Sequence, residues 1–253
     1  ATSLRRGGWK IEHLKNQSVI GRKKGYELSP EENLRTALRL GESVLILGEV
    51  RGPEARVLFE AMRIGAAGNA VLGTIHGSSP YDTWDRITND LGVPPTSFKA
   101  VDIIISLRYK EEKGDVDKSR RLMEITELRK KWSSNPDEEG AFFDLMKFSE
   151  EAGREEFSLK DSVIIKEICM RKGISMQEFM NLLDLKTKVI DDLVEGSGEL
   201  EDLLEIGHIA EVNKRCRMLL NEHGAHEVYP LWREWFKGYL EGLKQEDVVG
   251  YAG

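Results

Sequence analysis

Glu49, Arg51 and Glu54 close an apolar run in Leu45-Ile46-Leu47-Gly48-Glu49-Val50-Arg51-Gly52-Pro53-Glu54-Ala55. A carboxylate fixed at the end of a buried strand can orient metal-bound water or polarise an attacking water, which is the chemistry needed opposite a phosphate-binding loop. Arg51 lies on the turn leading into a helix, near an N-terminus where an oxyanion could also sit. The same trio also suits a structural ion pair. Further on, Gly73-Thr74-Ile75-His76-Gly77 puts an imidazole at the end of the next apolar run. Neighbouring parallel strands open their C-terminal ends on one crevice, so His76 is expected beside Glu49, within reach of a terminal phosphate. The competing reading is a hydrogen-bonded structural histidine.

The elements that must carry these residues are legible in part. Ser29-Pro30-Glu31-Glu32 combines an N-cap, a proline at the first helical position and a capping-box glutamate. Leu34, Ala37 and Leu38 then share a face, and Gly41 is the expected stop. Val44-Leu45-Ile46-Leu47-Gly48 does not alternate, which suits a strand buried on both faces of a parallel sheet. Gly52-Pro53 opens a second helix with Val57, Leu58, Ala61 and Met62 at core spacing, and residues 70–75 form the next strand. Ser79-Pro80 starts a helix through Trp84, Ile87 and Leu91 that Gly92 stops; Val101 to Leu107 is a further strand. This strand–helix order predicts an α/β fold with a parallel sheet covered by helices, and Met123 to Leu128 is expected as an alternating strand at the sheet edge. Residues 9–20 form only a weak strand-like stretch.

Residues 133–158 begin in turn chemistry, Ser133-Ser134-Asn135-Pro136-Asp137-Glu138-Glu139, and continue acidic, which predicts a linker. From Leu159 onward the pattern is helical, with breaks near Gly173, Gly196–Gly198 and Gly224–Pro230. The last helix carries Leu231, Trp232, Trp235, Phe236, Tyr239 and Leu240, a stripe that must pack on the preceding helices or on another chain. The expected organisation is therefore 1–132, 133–158 and 159–253.

Charge narrows the function classes. A net charge of −7 argues against a general nucleic-acid binder. Cys169 and Cys216 are far apart and give no disulfide framework. His223 and His226 with Glu222 and Glu227 fall short of a converging metal set and read as surface, so no direct metal site is expected. No apolar run approaches the roughly 18 residues that span a bilayer.

Gly48-Glu49-Val50-Arg51-Gly52-Pro53-Glu54-Ala55 resembles the Walker B box of the type II/IV secretion ATPases, which also drive pilus and archaellum assembly, and Gly73-Thr74-Ile75-His76 resembles their histidine box. The wording of Glu60-Ala61-Met62-Arg63-Ile64-Gly65, Gly77-Ser78-Ser79-Pro80 and Asn89-Asp90-Leu91-Gly92-Val93-Pro94 is similar to the archaeal branch. The resemblance runs from about residue 4 to residue 132. It implies the C-terminal half of a RecA-like P-loop NTPase sheet followed by an α-helical region. It also implies that Glu49 is the catalytic or Mg²⁺-orienting acid, with Arg51 and Glu54 as supporting charges and His76 as the sensor of the γ-phosphate. Among Arg5, Arg6, Arg22 and Arg39, the last is the first choice for a phosphate-neutralising arginine. The resemblance further implies ATP with Mg²⁺, a homo-hexameric ring, and a cytoplasmic position reached through a membrane platform protein.

One part of the family pattern is missing. A phosphate loop needs G-x-x-x-x-G-K-S/T, and no Gly-Lys dipeptide occurs in the 253 residues. The expectation is that an N-terminal half or a partner chain carries that loop, and that this chain alone is inactive. The alternative is a non-catalytic relative acting as a regulatory or scaffold subunit.

Overall fold

A computed structural model describes residues 10–12, 29–39, 44–63, 70–110 and 119–250. The chain divides into two compact units, one within Leu14–Glu167 and one containing Ile168–Gly253. Most of the weak strand expected over 9–20, the stop Gly41, and Arg5, Arg6 and Arg22 lie outside the described residues.

In the first unit, α1 (Pro30–Arg39) starts as its capping box requires. The Glu32 N–H donates to Ser29 Oγ (3.2 Å), and the Ser29 N–H donates to Glu32 Oε2 (2.9 Å). β1 (Val44–Leu47) and β2 (Ala70–Gly73) pair in parallel, with Leu47 opposite Gly73, and α2 (Glu54–Arg63) lies between them in sequence. This is the expected βαβ order. The burial is not the expected one. Leu45, Leu47 and Val71 pack on the core, whereas Val44, Ile46 and Leu72 are 47%, 71% and 55% exposed. The unbroken apolar run therefore covers one face only.

α3 (Pro80–Asp85) begins at Ser79, whose hydroxyl accepts from the Asp82 N–H, and passes into a π-helical turn, Arg86–Asp90. There the Leu91 N–H reaches back five residues to the Arg86 carbonyl, while Thr88 Oγ1 donates to the Trp84 carbonyl at 2.8 Å. A hydroxyl bonded back into its own helix competes with the backbone ladder and loosens it. Gly92, at φ +64°, ends the helix where expected.

The third strand departs from the prediction. After the short α4 (Pro95–Phe98), β3 (Ile103–Lys110) joins β4 (Ser119–Leu128), β5 (Phe142–Ser149) and β6 (Arg154–Phe157) in an antiparallel sheet of order β3-β4-β5-β6. β3 forms no pairing with the parallel pair among the described residues. Antiparallel neighbours close locally, whereas a parallel neighbour needs a long crossover. β4 is thus interior, not an edge, and its burial does not alternate: Thr126, Glu127 and Leu128 are all 0% exposed, just past a register shift at Ile125/Thr126. The buried Glu127 is satisfied by the chain after β6. Its carboxylate accepts from Ser162 Oγ (2.5 Å) and from the N–H of Val163 (3.0 Å), the first residue of α5 (Val163–Lys172).

The segment 133–158, expected as a linker, instead carries β5 and β6. Its turn residues do form a turn, with Gly140 at φ +64°. Phe142, Leu145 and Met146 then supply the apolar burial that the acidic composition concealed. The exposed Arg154-Glu155-Glu156 on β6 guards the sheet edge with charge. One core runs through this unit, including Leu34, Val50, Phe59, Trp84, Phe98 and Leu128.

The second unit is helical: α6 (Met176–Ser197), α7 (Ile206–Glu222) and α8 (Ala225–Gly250). Gly173, at φ +64°, separates α5 from α6, which has its own capping box between Ser175 and Glu178. The aromatic stripe of α8 packs on its own chain. Trp232 is 0% and Phe236 2% exposed, in a cluster with Leu185, Val189 and Leu193 of α6 and Val212, Cys216 and Leu219 of α7. The expected break at Gly224–Pro230 is narrower than that, because Pro230 sits inside α8.

Candidate functional site

The site lies where β1 and β2 end. Two hydrogen bonds extend the pairing past the strands: the Val50 N–H donates to the Thr74 carbonyl (2.8 Å), and Thr74 Oγ1 donates to the Gly48 carbonyl (2.5 Å). Glu49 stands between these fastenings. Its Oε2 accepts from an Arg51 guanidinium nitrogen at 3.2 Å, and its Oε1 lies 3.6 Å from His76 Nε2. The acid and the imidazole predicted to share a crevice are therefore neighbours. The Glu49 side chain is 38% exposed and that of His76 81%, so both face solvent. A carboxylate flanked by a guanidinium and an imidazole can orient a water, accept its proton, and place positive charge beside a developing oxyanion.

Glu54 differs from Arg51 in what it touches. It is 6% exposed, and its Oε1 accepts from the N–H groups of both Arg51 and Gly52, each at 3.0 Å. This carboxylate shapes the turn and leaves the Arg51 side chain free for Glu49. It also fills the place considered for an oxyanion at the start of α2, since those amides are already bonded. Gly52 makes the approach possible, because a Cβ there would sit 2.8 Å from Glu54 Oε2. Arg39 ends α1 as an exposed residue, and among the described residues no hydrogen bond or ion pair links it to Glu49, Arg51, Glu54 or His76.

His76 also lines an open cleft of about 570 Å³ with Asp82, Arg86, Arg108 and Tyr109. Arg108 donates to the Ser78 carbonyl at 3.1 Å. The Ser78 hydroxyl donates to Asp82, and chiefly for that reason, with a smaller contribution from Arg108, the Asp82 carboxyl is held below its usual range. The sequence reading gave no role to Thr74, Ser78, Asp82 or Arg108. Thr74 was within the histidine box, but only the strand register reveals what its hydroxyl reaches. Arg108 comes from a strand whose partners were misassigned. In the helical unit, His223 lies 4.0 Å from Glu222 and His226 3.7 Å from Glu227. No group of three or more His, Cys, Asp or Glu able to hold a metal occurs among the described residues.

The family model for type II/IV secretion system proteins matches residues 9–139, which contain both strand ends. The chain belongs to that family. Two uncharacterized proteins of Methanocaldococcus jannaschii are similar to it. MJ1287 is 28% identical over 184 residues, covering 71% of this chain and 64% of the relative. MJ0900 is 31% identical over 120 residues, covering 44% of this chain and 20% of the relative. This chain thus spans less than two thirds of either relative's length. Its described residues form a mixed α/β structure, and no helix among them is long and apolar enough to cross a membrane.

Proposed function

We propose that this chain supplies the acid-and-imidazole half of an ATP-hydrolysing motor that drives protein export or pilus-like filament assembly. One observation carries the reading: Glu49 meets both Arg51 and His76 at the C-terminal ends of two adjacent parallel strands. In this reading β1 and β2 belong to the C-terminal half of a RecA-like sheet. The complete motor is a hexameric ring at the cytoplasmic face, bound to a membrane platform protein, and the helical C-terminal region is an appendage.

The residues fit the terminal-phosphate end of Mg²⁺–ATP: a half-exposed carboxylate with two cationic or hydrogen-bonding neighbours. They do not form a cradle for the inner phosphates, since no Gly-Lys pair exists and the Arg51 and Gly52 amides serve Glu54. That cradle comes from an N-terminal half or a partner chain. When bound, Mg²⁺–ATP supplies the phosphorus centre that water attacks. Glu49 orients that water and takes its proton, Arg51 offsets negative charge, and His76 reports the terminal phosphate to the rest of the chain.

The test is turnover in the complete motor, with this chain joined to or mixed with polypeptide carrying a phosphate loop. Glu49→Gln should leave ATP bound and lower turnover by about 100-fold or more, the usual worth of a general base. Unchanged turnover in that variant would remove Glu49 from the chemistry. Assembly into the ring with no contribution to hydrolysis would instead identify a regulatory subunit.

A further inference from the structure

We propose that Thr74 is the positioning residue of the Glu49–His76 pair. Its hydroxyl holds the Gly48 carbonyl at 2.5 Å and its own carbonyl holds the Val50 N–H at 2.8 Å, so one residue grips the backbone on both sides of Glu49. After Glu49 the chain is also held by the buried Val50 side chain and by the Arg51 N–H bond to Glu54; before it, the hydroxyl bond is the side-chain restraint the described residues show. A Cβ at Gly48 would meet no atom within 4 Å, so the turn before the acid has no packing of its own. The side-chain contacts of Glu49 are with Arg51, 61% exposed, and His76, 81% exposed. Exposed ion pairs hold geometry weakly, because water screens them and both side chains lose freedom in forming them. The angle of the acid is therefore set by the backbone, and the hydroxyl bond is the part of that brace that a side chain supplies. A β-branched residue suits the task, since its χ1 is restricted before the bond forms. Val fills the same space without the hydroxyl, and Ser keeps the hydroxyl without the methyl.

The positional claim stands on the chain alone; only its catalytic consequence rests on the motor reading. The first experiment is NMR of the whole 253-residue chain labelled at histidine. The His76 ring resonances should move when Glu49 is replaced by Gln. In a Thr74→Val background that displacement should fall to half or less, and in Thr74→Ser it should return, with all variants sharing the wild-type melting midpoint. An undiminished displacement in Thr74→Val overturns the proposal. The second experiment is hydrolysis by the complete motor. Thr74→Val should lower kcat about 10- to 100-fold, the cost of a small misplacement of a catalytic group, with the ATP KM changed less than twofold. Thr74→Ser should restore most of the rate. A Thr74→Val motor with wild-type kcat overturns the catalytic consequence. If Glu49→Gln itself leaves turnover intact while the resonances behave as expected, the motor reading fails and the positioning of Glu49 by Thr74 stands.

Discussion

Glu54 and Glu139 show how single carboxylates shape this protein by satisfying backbone amides. Glu139 accepts from the N–H groups of Ser133, Ser134 and Asn135 at 2.7–3.1 Å, closing the turn before β5. The Ser134 amide is the largest cause, and the carboxyl is held below the ordinary value of 4.5. A lowered pKa means that the folded state favours the charged form, so the stabilisation is complete above pH 4.5 and is lost as pH falls through the lower folded value. Glu139→Gln should therefore lower the melting midpoint at neutral pH, and the gap to wild type should narrow on acidification below that value. A gap that stays constant to low pH would show that the amides do not depend on the charge. At this scale the sequence was most informative where residue type alone dictates position. Glu49, Arg51 and His76 announced themselves through strand-end spacing, and Ser29 with Glu32 through the capping box. What Glu54 and Thr74 do depends on which amide or carbonyl lies opposite, and that is set only once the strands are in register.

Among the elements, the junction of β4 with α5 is the most demanding. Glu127 is completely buried, and its oxygens serve Ser162 and Val163, whose helix they start; Ser162 Oγ in turn accepts from the Ile165 N–H (3.0 Å). Glu127→Ala would leave the buried Ser162 hydroxyl without its acceptor, release the partly exposed Val163 amide and open a cavity, a loss of about 2–4 kcal/mol. Glu127→Gln keeps an acceptor and should lose less, as chemical denaturation will show; equal losses would mean that packing alone matters. No sequence pattern marks this junction, because a Glu at an apparently alternating strand position reads as solvent-facing. The same limit explains the other departures. Ile103 to Leu107 suits a parallel or an antiparallel strand equally well, and only pairing with β4 decides. The acidic 133–158 hid two strands because acidic turns flank them and β6 is mostly charged, although β5 itself is rich in apolar residues; Asp144 and Lys147 on β5 pair with each other at 3.2 Å.

For the molecule as a whole, two hydrophobic clusters share no residue, one centred on Phe98 and Leu128, the other on Trp232. Trp232→Ala removes the largest fully buried side chain among the described residues and should cost about 3–5 kcal/mol. Hydrogen exchange should show that loss in the amides of α6, α7 and α8; an equal loss across β3–β5 would mean that the chain unfolds as one. Helical periodicity showed that the aromatic stripe must be covered but left open whether by its own helices or by another chain; the helices of this unit cover it. The outward rows are a different matter. Val44, Ile46 and Leu72 on the parallel pair, and Ile103, Ile105 and Leu107 on β3, stay 43–71% exposed and so gain much less burial than the core residues do. Thermostability screening will score them as dispensable, and hydrophilic replacements there will look harmless or even beneficial by that measure. Melting temperature is therefore a poor guide to which surface positions of this protein can be redesigned.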